Sequence, residues 1–119
     1  GMYKLLRTLE NPAITQFFSY PIAQKKRLYL LKPHSGKTHQ LRVALSSISA
    51  PIIGDPLYNT KSVADRGYLH AYALRFEYLD TQYHFILAPS EGEYFLSSEV
   101  ESKLAEIEQP WLLNWPKKV

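Results

Sequence analysis

A chain of 119 residues, 45% hydrophobic and 21% charged, is long enough for one domain with its own core. It has no cysteine, which excludes a disulfide framework, a thiolate metal site and a cysteine nucleophile, and no apolar run approaches the roughly 18 residues of a membrane span. The net charge of +3 is uneven: residues 1–75 carry eleven Lys and Arg against three acids, residues 76–119 three against eight, so the N-terminal part has the charge of a polyanion-binding face or of an unevenly solvated surface.

Gly1 reads as a cloning remnant ahead of a start methionine, so the domain is taken as residues 2–119. No signal peptide is visible, and a reducing cytoplasm fits the absence of cysteine. "MYKLLRTLE" reads as a short strand or one helical turn. "AITQFFSYPI" is β-branched and aromatic, and "KKRLYLLKP" ends at Pro33, which cannot donate to a ladder. The two predict a hairpin whose turn, "AQKK", lacks a glycine signal.

"THQLRVALSSI" predicts a helix with Thr38 as N-cap and Leu41, Leu45 and Ile48 on one stripe, ending before Pro51. "APIIGDPLYN" is an apolar stretch followed by turn chemistry, and "SVADRG" is a polar loop. "YLHAYALRFEYL" and "TQYHFILAP" predict two strands joined near Asp80. "SSEVESKLAEIEQPWLLNWP" predicts a helix opened by a capping box, Ser98 with Glu101, with Val100, Leu104, Ile107 and Trp111 on one face and Pro110 as kink or stop. Strands with two helices make the class α+β, with a mainly antiparallel or mixed sheet.

The stretch Pro33 to Arg42, "PHSGKTHQLR", concentrates the candidate chemistry. It is not a Walker loop: the glycine required five positions before Gly36 is Leu31. His34, His39, His70 and His84 have neither the spacing nor the carboxylates of a metal site. What remains is a turn, loosened by Gly36, into a helix start whose N–H groups, with Lys37, His39 and Gln40, suit an anion. Arg42, one turn in, reads equally as a bidentate anion ligand and as a surface arginine. Asp55, between Gly54 and Pro56, is assigned to the turn, where its side chain can accept from the following backbone.

"LLKPHSGKTHQLRVAL", "SAPIIGDPLYN" and "YLHAYALRF", in this order, resemble the C-terminal half of the catalytic domain of RluA-type pseudouridine synthases. That family shows L-x-P-x-T-G-R-T-H-Q-I-R-V-H-L, then G-x-P-I-x-G-D-x-x-Y-G, then L-H-A-x-x-L-x-F. The match spans roughly residues 3–89. The resemblance implies a partial pseudouridine synthase fold and an isomerase that converts uridine to pseudouridine in rRNA or tRNA. It implies RNA as partner and neither cofactor nor metal. An aspartate serves there as nucleophile or base, a tyrosine stacks on the target base, and a basic residue pairs with the aspartate.

That basic residue carries over to Arg42, as partner of an aspartate absent from this chain. Leu41 carries over to the apolar position near the target base, and Gly36, Lys37, Thr38, His39 and Gln40 to the substrate-binding turn. The departures are specific. The family's R-L-D-x-x-T-S-G motif is missing, Lys37 stands for arginine, Ala44 for histidine, and Ala50 and Asn59 for glycines. The implied reading is a fragment of a longer synthase, inactive by itself and prone to self-association through exposed strand edges. The other reading is a non-catalytic RNA-binding or interaction domain on the same scaffold.

Overall fold

The computed structural model describes residues 2–6, 13–23 and 25–117. The first sheet has the order β1-β2-β3 and is antiparallel throughout, with β1 at Met2–Leu6, β2 at Ala13–Ala23 and β3 at Lys26–Pro33. Of the two readings of "MYKLLRTLE", the strand holds for its first part, and residues 7–10 lie outside the described residues. The hairpin forms as expected. Its register shifts between Pro21 and Ala23, beyond the part of β2 that β1 covers, where a proline costs no ladder bond. Lys25 turns the chain at φ 62, a left-handed position with no glycine to announce it.

Helix α1 runs over Gln40–Ser47 and packs on β2 and β3. The expected cap is corrected: the residue before the helix is His39, left-handed at φ 55, and no side chain caps there. Thr38 is exposed outside the helix. The reason is the Gln40 amide. Its Nε2 donates to the Ile14 carbonyl (3.1 Å) and to Thr15 Oγ1 (2.9 Å), while its Oε1 accepts from Ser35 Oγ (2.8 Å) and the Lys37 N–H (3.1 Å). The helix start is held to β2 by a side chain, so the backbone kinks at His39 to deliver it.

The core around this helix is small: Phe17, Ala44, Leu45 and Ile52 are buried. Beside it lies a buried polar layer of Thr15, Gln16 and Gln40. Gln16 Nε2 donates to the Pro116 carbonyl (2.6 Å), and His34 Nε2 lies 2.8 Å from Gln16 Oε1. Among the described residues no buried side-chain nitrogen or oxygen lacks a partner, as a polar layer at this depth requires.

The chain divides into two compact units, residues 1–67 with 114–119, and residues 68–113. The second holds strands β4 (Ala73–Tyr78) and β5 (Thr81–Ile86), helix α2 (Ser98–Glu106) and a 3-10 turn at Pro110–Leu112. The strands are shorter than predicted. One backbone bond, from the Leu87 N–H to the Tyr72 carbonyl (2.9 Å), follows the ladder past Ala73; beyond it His70 Nε2 lies 2.6 Å from the Leu87 carbonyl and Tyr68 packs on Tyr94 and Phe95. The hairpin turn is Leu79–Asp80, both at positive φ. The capping box is also corrected: Ser97, not Ser98, caps α2 by accepting from the Val100 N–H. This puts valine, not Glu101, at the third position, and Glu99 and Glu101 instead face the helix dipole from its first turn. Proline at the start of the 3-10 turn ends α2, as expected.

Two glycines make opposite demands. Gly54 sits at φ +79, and a Cβ there would lie 2.0 Å from the Arg66 carbonyl oxygen, so Gly54→Ala should lower stability by roughly 2–4 kcal/mol. A Cβ on Gly36 would meet nothing within 4 Å. Thermal unfolding of both variants checks this: Gly36→Ala should melt with the wild-type protein, and Gly54→Ala well below it.

Candidate active site

The stretch 33–42 builds its site by joining two segments. Helix α1 carries Arg42, and the turn after Ile52 carries Asp55 and Tyr58. Arg42 Nε donates to Asp55 Oδ2 (2.9 Å) and Nη2 to Oδ1 (2.7 Å), a bidentate pair. Asp55 is 3% exposed. Its Oδ1 also accepts the Leu57 N–H (2.9 Å) and the Tyr58 N–H (3.2 Å), which is the turn role expected of it. Four donors converge on one buried carboxylate. The Tyr58 ring lies 5.3 Å from the Arg42 guanidinium carbon, and the Tyr58 hydroxyl is 3.3 Å from His39 Nδ1.

The electrostatics follow from this geometry. The Arg42 guanidinium, helped by the Leu57 and Tyr58 N–H groups, holds the Asp55 carboxyl well below the usual carboxylate range, against the opposing effect of burial. The hydrogen bonds to Asp55 raise Arg42 in turn. A guanidinium has five N–H bonds, and Asp55 takes two of them. The Arg42 side chain is 25% exposed, so the remaining donors are within reach of a ligand.

The predicted site residues separate into two groups. Gly36, Lys37, Thr38 and His39 are exposed on the turn. Leu41 is half-buried beside Arg42, and Gln40 is buried with its amide fully committed to β2 and to the turn. Gln40 reaches the site as its foundation. Reasoning from the sequence seeks Arg42's carboxylate outside the chain and keeps Asp55 for its own turn. The structure joins the two, across thirteen positions, for which no spacing rule exists. Tyr58 falls on the tyrosine of the G-D-x-x-Y pattern quoted above, but reasoning from the sequence gives it no role in the site. Among the described residues no group of three His, Asp or Glu could hold a metal ion, and no helix is long and apolar enough to cross a membrane.

Comparison with known proteins supplies the class. The chain is 47% identical over 102 residues to a Haemophilus influenzae protein named as an uncharacterized RNA pseudouridine synthase; the match takes in 84% of this chain and 45% of that protein. A Helicobacter pylori protein of the same name is 44% identical over 63 residues, 52% of this chain and 26% of its own. A third, from Aquifex aeolicus, is 30% identical over 112 residues, 84% of this chain and 32% of its own. No protein-family model and no solved structure matches. The chain is thus homologous to proteins named RNA pseudouridine synthases, which are isomerases, and it spans less than half the length of these relatives.

The pair predicts a pH signature. A carboxyl with a depressed folded pKa stabilises the protein fully above the ordinary range of about 4, and that stability is lost as pH falls toward the folded value. Asp55→Asn should therefore cost roughly 2–3 kcal/mol at neutral pH. Urea unfolding of both proteins from neutral to acid pH should show the gap closing as the pH drops below about 4. A gap that stays constant to low pH would mean that the carboxylate charge is not what matters.

Proposed function

We propose that this chain is the C-terminal part of the catalytic domain of an RluA-type pseudouridine synthase, and that the whole protein isomerises uridine to pseudouridine in cytoplasmic rRNA or tRNA. The observation that carries this reading is the 47% identity over 102 residues with the Haemophilus influenzae protein. In the reaction the N1 glycosidic bond breaks, the uracil ring turns, and a new bond joins C5 to the ribose. The C5 proton leaves and N1 gains one, so atoms and electrons balance without a cofactor.

The geometry supports the following roles within that reading. An aspartate from the part of the synthase outside this chain acts at the reacting centre. Arg42 meets it with the donors that Asp55 leaves, which keeps that carboxylate ionised. Asp55 and the Tyr58 ring hold the guanidinium so that it needs no rearrangement when the second carboxylate arrives. Lys37, Thr38 and His39 face the RNA from the turn. Gly36, which nothing in the described chain requires to be glycine, leaves room for a close phosphate or ribose. The unit that carries these residues has twelve Lys and Arg against Glu10, Asp55 and Asp65, the charge that phosphate contacts need.

Tritium release from C5-labelled uridine RNA tests the activity. The 119-residue chain alone should give only background release. In a complete synthase carrying this chain, Arg42→Ala should lower turnover by about a hundredfold or more, with RNA affinity nearly unchanged. Turnover by the chain alone, or near-normal turnover by the variant, would remove Arg42 from its role beside the reacting aspartate.

By itself the chain should also associate weakly with its own copies through the edges of β4 and β5, which among the described residues pair only with each other. Sedimentation velocity across a concentration series should show the average mass rising. A single monomer boundary at the highest concentration would refute it.

A further inference from the structure

Asp55 grips one edge of the Arg42 guanidinium. Its two bonds, to Nε and Nη2, lie along that edge and stop the group from sliding. They leave it able to rock about the line of contact, a motion that swings Nη1 away from any second carboxylate. The Tyr58 ring, 5.3 Å from the guanidinium carbon, opposes that motion by lying on the face of the group. The ring holds this face only as firmly as Tyr58 is itself held.

Tyr58 is held at two points. Its N–H donates to Asp55 Oδ1 (3.2 Å), which fixes its backbone in the turn. Its hydroxyl lies 3.3 Å from His39 Nδ1, and the two rings meet edge-on at 5.8 Å and 85°. The second point joins the far end of the side chain to an exposed residue of a different segment. The Gln40 attachment accounts for the left-handed backbone of His39, φ 55, but not for the imidazole, which turns its Nδ1 to Tyr58. Nε2 is then at the opposite edge of an exposed ring, on the turn that also carries Lys37. A donor in that place beside a cation suits a phosphate oxygen.

We propose that His39 and Tyr58 form a positioning link that couples an RNA phosphate bound at the turn to the guanidinium of Arg42. The Tyr58 O–H donates to His39 Nδ1, so the ring proton sits on Nε2 and donates to the phosphate. The phosphate pins the imidazole, the imidazole pins the hydroxyl, and the tyrosine ring steadies the guanidinium. Neither residue touches the reacting atoms. The inference rests on the synthase reading above and adds to it that RNA reaching the turn raises kcat through Arg42, beyond its contribution to affinity.

Two measurements test the link. In a complete synthase carrying this chain, Tyr58→Phe keeps the ring and removes the hydroxyl; it should lower kcat by about tenfold and leave KM within about twofold. His39→Ala should lower kcat by a similar factor and raise KM, and adding Tyr58→Phe to it should cost nothing more in kcat. In the 119-residue chain, NMR with a short uridine-containing RNA oligonucleotide needs no activity. The His39 imidazole and Arg42 Nε–H signals should both shift on addition of RNA. In Tyr58→Phe the His39 signal should still shift and the Arg42 signal should not. Near-normal kcat for Tyr58→Phe, additive losses in the double variant, a His39 signal indifferent to RNA, or an Arg42 response that survives Tyr58→Phe would each overturn the link. An active synthase that needs Arg42 but not the Tyr58 hydroxyl refutes the link alone; a complete synthase with no tritium release takes the synthase reading with it.

Discussion

The ion pair between Arg42 and Asp55 decides where everything else in the site can stand. Asp55 is almost completely removed from water, a position an unpaired carboxylate could not hold. It is tolerable there because four donors meet it, two from Arg42 and two from the turn's own backbone. The same bonds fix α1 against the turn that follows Ile52. Gly54 lets that turn pass within contact of the Arg66 carbonyl, closing the loop behind the aspartate. A lysine at position 42 would keep the charge but lose the fork, and with it the second bond to Asp55. The orientation of the guanidinium is therefore a consequence of burial, set before any ligand arrives.

A second constraint lies beneath the first. An eight-residue helix is too short to be stable by its own hydrogen bonds, and α1 has no side-chain cap. What holds its first turn is the Gln40 amide, inserted between the Ile14 carbonyl, Thr15, Ser35 and the Lys37 N–H. Such an arrangement fixes register more sharply than an apolar contact would. A slip of one residue along β2 would leave several buried polar groups unpaired, each costing about 1–3 kcal/mol. The left-handed His39 is the strain that this attachment tolerates. It also sends the imidazole outward, to the hydroxyl of the tyrosine that lies over Arg42.

What can be read from the sequence follows this division. The β2–β3 hairpin, α1 and α2 announce themselves through β-branched runs, a stripe of leucines and prolines at their ends. The turn role of Asp55 is equally legible, since Gly-Asp-Pro is local chemistry. The failures share a cause. Thr38 and Ser98 are good caps by type, but tertiary bonds at Gln40 and the chain's path at Ser97 chose other residues. The strand expected from Tyr68 loses its first part to side-chain contacts with Tyr94, Phe95 and Leu87, which periodicity cannot see. The Arg42–Asp55 pair is hidden for the same reason: it is a long-range contact between two residues that each have a sufficient local explanation.

The charge distribution gains meaning when it is drawn along structural lines. Cutting the chain at residue 75 gives a basic part and an acidic part, but leaves the C-terminal lysines among the acids. The structure returns them. Gln16 binds the Pro116 carbonyl, and Trp115 packs edge-on against Phe18 at 4.6 Å with the Lys32 ammonium 5.4 Å from its ring. Trp115 and Pro116 thus lie against the first sheet, and Lys117 follows them into the unit that holds Arg42. The acidic unit is left with two cations and with the exposed, stacked rings of Phe76, Tyr83 and Phe85. A surface suited to a polyanion and an exposed apolar surface need opposite chemistry. Here the boundary between the two chemistries coincides with the boundary between the two units.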